Sequence, residues 1–78
     1  MITREAEAIY PVHEYTTSVG DNLTRIVRFL YGRDLDKAFE TIKELNPRYD
    51  WSYLDGGETI KYFPIDVLSS INVVFSER

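Results

Sequence analysis

His13 is the one histidine in this chain of 78 residues, and it is the first place to look for acid–base chemistry. Glu14 and Thr16 stand beside it. A nucleophilic or acid–base centre needs a nucleophile, a base and an orienting group converging in a pocket, and a histidine on a short strand is ordinarily a surface or interface residue. The 13 acidic residues are spread along the chain, as on solvated faces. Asp34 and Asp36 lie two apart with no further ligand at calcium-loop spacing. There is no cysteine, so neither a disulfide framework nor a thiolate metal site can form, and a single histidine cannot build a histidine cluster. Gly20 and Gly56-Gly57 match neither the dinucleotide-binding nor the P-loop phosphate pattern. The expectation is a protein with no catalytic residue, no metal and no cofactor.

What remains is aromatic. Tyr49, Trp51 and Tyr53 alternate with Asp50 and Ser52, so in an extended segment all three rings share a face. They could stack on sugar rings or anchor a protein interface, where Tyr and Trp concentrate binding energy. One or two of them could instead close the bottom of a small core. Trp51 is expected to be partly buried, with Tyr49 and Tyr53 more available.

The elements that would position these residues follow from local patterns. Tyr15 to Ser18 is β-branched and aromatic, as a short strand is. Gly20 permits a sharp reversal, and Asp21 or Asn22 can cap the helix that follows. Leu23, Ile26, Val27 and Leu30 form one stripe of an amphipathic helix, ended by Gly32. Asp34 can cap a second helix, in which Leu35, Ala38, Phe39, Ile42 and Leu45 keep helical spacing until Asn46-Pro47 stops it. Residues 48–57 read as a loop, and 58–63 as a second strand in which Ile60 and Tyr62 alternate with Thr59 and Lys61. The two strands would pair antiparallel and cover one side of the helix pair, which supplies the support a lone ribbon lacks.

Both ends lie outside that unit. Residues 1–12 read as either a frayed tail or an arm docking on a neighbour through Ile9 and Tyr10, with Pro11 opposing a regular helix there. In residues 65–78, Ile71, Val73 and Phe75 have strand spacing. They would form either a third strand of the domain's own sheet or a strand offered to another chain's edge. Deleting 65–78 is expected to leave a folded domain.

The net charge of −4 supplies no basic stripe for phosphates, so nucleic acid is not an expected partner. No apolar run approaches the roughly 18 residues of a membrane span. The start, Met1 to Glu5, lacks the layout of a signal peptide. The length allows one domain, and part of its stability is expected to come from a partner.

The order strand, Gly-Asp turn, helix, helix, loop, strand resembles the LysM module. Tyr15-Thr16, Gly20-Asp21 and Leu23 look like the LysM opening, and Ile26, Asn46-Pro47, Leu54, Gly57 and Ile60 fall where that family has its helix core, its Asn-Pro and its closing pattern. The similarity covers about 14–64. Gly56 stands where the family usually has proline, and Pro64 comes one residue late. Leu30 to Arg33 further resembles the small phage tail proteins called tail protein X and LysM-containing baseplate proteins of contractile tails. The resemblance implies an α+β fold, a LysM-like βααβ unit at 13–64 between an N-terminal arm (1–12) and a C-terminal extension (65–78). It implies a structural connector in a tail baseplate or hub, made in the host cytoplasm, present in several copies, and contacting hub, spike or wedge proteins. Its partner-binding residues would be Ile9, Tyr10, Tyr49, Trp51, Tyr53, Ile71, Val73 and Phe75. The alternative that the same family implies is a module for peptidoglycan or other N-acetylglucosamine polymers. Gly20, Asp21, Asn22 and Leu23 would then face Asn46 and Pro47 across a groove.

Overall fold

The stripe of Leu23, Ile26 and Val27 turns inward along the helix Leu23–Tyr31, and Ala38, Ile42 and Leu45 do the same along the helix Asp36–Leu45. In chain order the elements are α1 (Thr3–Ile9), β1 (His13–Thr16), α2 (Leu23–Tyr31), α3 (Asp36–Leu45), β2 (Thr59–Tyr62) and α4 (Ile65–Leu68). The structure, a computed structural model, describes residues 3–52 and 54–71. Within it, β1-α2-α3-β2 is the expected βααβ order.

Local chemistry sets the helix ends. The Asn22 side chain accepts the Arg25 N–H at 3.0 Å and caps α2. Gly32, at φ 83°, takes the left-handed C-cap and donates its N–H to the Arg28 carbonyl. The expected cap of α3 is corrected: its N-cap position is Leu35, with no side-chain cap. Asp34 is drawn instead to Arg28, whose Nε and Nη2 reach its two carboxylate oxygens at 2.7 and 3.1 Å. That pair holds the Asp34 carboxyl below its ordinary pKa, but it is exposed, so it steers the turn more than it stabilises it.

The sheet is β1 against β2, antiparallel, with His13 opposite Tyr62 and Tyr15 opposite Ile60. Ile60 faces the helices, where Ile26, Val27, Ile42, Ile60, Phe63 and Ile71 are almost fully buried. Tyr31 donates its hydroxyl to the Phe63 carbonyl. Burial there pushes its phenol far above the ordinary range, so it stays protonated.

The two ends differ from expectation. Residues 3–9 are not an arm: they form α1, which packs on α3 with Thr3 and Ala6 buried. Pro11 does limit the helix, but it falls two residues beyond the helix's end at Ile9. Only small side chains face inward there, so no apolar stripe announced it. Residues 65–68 form a helical turn, and Leu68 and Ile71 enter the same core as Ala6. Ile71 is therefore not on a docking arm. Val73 and Phe75 lie outside the described residues. The core spans 6–71, so the expected appendages complete it.

Candidate functional site

Two loops are tied together where the strands meet. Thr17 donates its hydroxyl to Glu58 Oε1 and accepts the Glu58 N–H at 3.0 Å on the same oxygen. The N–H groups of Asp55 and Gly56 also point at the Glu58 carboxylate, at 2.8 and 2.9 Å. With the Thr17 hydroxyl first among them, these donors hold the Glu58 carboxyl below its ordinary value. Gly56, at φ 102°, lies so close to the β1–α2 turn that a Cβ would stand 2.8 Å from the Val19 nitrogen. In that turn Asp21 accepts the Ser18 N–H at 2.8 Å and the Tyr15 hydroxyl at 2.9 Å.

The outer edge of β2 is closed from within. The Asn46 amide accepts the Lys61 N–H and donates to the Lys61 carbonyl, both at 2.9 Å, as a neighbouring strand would. It also donates to the Ile42 carbonyl at 2.7 Å and is buried. Two positions along, Tyr49 donates its hydroxyl to the Thr59 carbonyl at 3.0 Å. Tyr49 packs edge-on against Trp51, with ring centres 5.9 Å apart, and the Arg48 guanidinium lies over the Tyr49 ring. Both rings are half-buried against the core, as expected for Trp51 but less open than expected for Tyr49. Tyr53 lies outside the described residues.

The outer edge of β1 is different. The register points the N–H and C=O of Glu14 and Thr16 away from β2. Among the described residues no hydrogen bond reaches those four groups. Both side chains are exposed. On the helix side of this edge the Tyr15 ring meets Phe29 of α2, with centres 5.5 Å apart. Phe29 is 73% exposed, and Val19, at the turn, is 88% exposed. His13 is exposed, with its ring edge-on to Tyr62.

The expected site residues are therefore scattered. Ile9 is exposed and Tyr10 half-buried, both at the end of α1. Gly20, Asp21 and Asn22 form the turn, and Leu23 lies buried under it. Asn46 and Pro47 line a cavity of about 230 Å³ with Leu45, Arg48, Thr59 and Lys61, and Gly20 to Leu23 are not among its walls. One carboxylate oxygen of Asp21 and the side-chain oxygens of Asn22 and Asn46 are engaged within the fold. Phe29 was missed. Its signal was present: a large aromatic on α2 that falls off the buried stripe.

No family model matches the chain, and no curated protein and no solved structure matches it. Among the described residues, no helix is long and apolar enough to cross a membrane, and no group of three or more acidic or histidine side chains gathers as a metal site would.

Proposed function

We propose that this chain is a structural connector that works by protein–protein contact. The observation that supports the reading is Phe29, a large aromatic left 73% exposed beside the edge of β1 that no described residue pairs. A small domain that buries Phe63 and partly buries Tyr31, Phe39 and Trp51 gains nothing by wetting one more ring; a partner that covers it recovers that area. An open edge with an apolar shelf offers backbone hydrogen bonds and a hydrophobic anchor at one place. With the resemblance to LysM and to tail protein X, the assembly we favour is the baseplate or hub of a contractile tail or related particle.

The glycan reading rests on the same resemblance. It is weakened by the placement of its two expected walls, because the cavity lined by Asn46 and Pro47 does not include Gly20 to Leu23. Two measurements separate the readings. Phe29→Asp is expected to fold normally and to be absent from purified particles that incorporate the wild-type chain. Sedimentation with insoluble peptidoglycan or chitin should leave the wild-type chain in the supernatant. Retention on the polymer, with Phe29→Asp still entering particles, would replace this reading with the glycan one.

A further inference from the structure

We propose that the β1 edge pairs with the β1 edge of a second copy of this chain, across a two-fold axis at Tyr15, to make one continuous four-stranded sheet. The inference rests on the contact surface named above and assigns its occupant.

The register follows from which groups no described residue bonds. Glu14 and Thr16 each turn both backbone groups outward. In an antiparallel pair, directly opposite residues of the hydrogen-bonded kind exchange both bonds. Placing Glu14 opposite Thr16 of the second copy satisfies all four outward groups on each edge at once. It also sets Tyr15 opposite its own symmetry mate. A shift that puts Glu14 against Glu14 brings two carboxylates together, and one that puts Thr16 against Thr16 carries the axis to the strand's end. The favoured register thus avoids a like-charge pair and uses the whole strand.

The side chains suit the same axis. Tyr15 faces the helices with Ile60, and its ring touches Phe29. Across the axis the two Tyr15 rings are neighbours, flanked by the two Phe29 rings, so the exposed aromatic of each copy is covered by that of the other. The opposite edge explains why growth would stop there. Lys61 and the Thr59 carbonyl are already bonded to Asn46 and Tyr49, so a third copy finds no open ladder on β2. Pairing therefore closes at two copies, an isologous contact, instead of running on as a fibre.

The chain lacks cysteine, so engineered thiols report the register without interference. Glu14→Cys and Thr16→Cys change exposed side chains. Mixed and mildly oxidised, the two variants should give a cross-linked pair, because opposite residues lie about 5.5 Å apart at Cα, within disulfide reach. Each variant alone should cross-link at least tenfold more slowly. In sedimentation equilibrium the wild-type chain should be a dimer that dissociates on dilution, and its Glu14 and Thr16 amides should lose exchange protection together as it does. Thr16→Pro, which deletes one outward N–H, should be monomeric with an unchanged circular dichroism spectrum. A wild-type chain that stays monomeric at high concentration, or single variants that cross-link as fast as the mixture, would overturn the pairing. Incorporation into particles that remains sensitive to Phe29→Asp in that case would leave the connector reading standing with a different occupant on the edge.

Discussion

At the residue scale the structure depends on a few side chains that act as backbone. Asn46 is the clearest: one amide replaces a strand at Lys61 and caps the end of α3. Asn46→Ala leaves the Lys61 N–H and two carbonyls without those partners, and the expected loss is about 2–3 kcal/mol in urea unfolding. Asn46→Asp keeps the acceptor for the Lys61 N–H but sets a carboxylate against two carbonyls, so it should be less stable at pH 7 than at pH 4. Glu58 gives the opposite pH sign. Folding lowers its pKa, so its contribution is full above the unfolded value of 4.5 and is lost as pH falls through the folded value. Glu58→Gln should therefore narrow the gap in melting temperature between pH 7 and pH 3. Thr3 points the other way: its hydroxyl is buried with no hydrogen-bond partner among the described residues. Thr3→Val should raise stability by about 1 kcal/mol, read from the same urea titration.

At the scale of elements, α2 and α3 were legible because long apolar stripes at 3.6-residue spacing have few other readings. The ribbon was legible as well, although β1 begins two residues before the expected Tyr15 and ends at Thr16, and β2 is two residues shorter than the expected 58–63. α1 and α4 were not. α1 buries Thr3 and Ala6, residues too small to mark a face, and its docking depends on a partner helix far along the chain. α4 is a single turn after Pro64, too short to show a helical apolar stripe. The open edge was invisible for a further reason: which strand is covered depends on Asn46 and Tyr49, from a loop that carries no strand signal. Ala6→Glu tests α1. It forces a charge into a closed helix contact, and limited proteolysis should then cut within 3–10 while the rest of the chain resists. Gly56→Ala tests the loop junction. A left-handed backbone and a 2.8 Å approach to Val19 both oppose a side chain, and the expected cost is about 2–4 kcal/mol in a thermal melt.

For the whole molecule, the core gathers contributions from near both ends of the chain, Ala6 at one and Ile71 at the other. A chain cut after Pro64 loses Leu68 and Ile71 from that core, about 1.5–3 kcal/mol each by burial alone. Against the ~5–15 kcal/mol of a typical domain this is a large share, and the truncated chain should show a broad, low-temperature circular dichroism transition. The burial of Leu68 and Ile71 runs against the expectation that a chain without 65–78 stays a folded domain. Thr17 and Glu58 are bonded across a sequence separation of 41, so the ribbon closes a long loop whose ordering costs entropy before any rung is made. The helices between them are local and form quickly. Maturation should run from helices to ribbon, with the Thr17–Glu58 clasp fastening late. Only finished molecules then display the β1 rim, so unfinished chains carry no handle for a neighbour to seize.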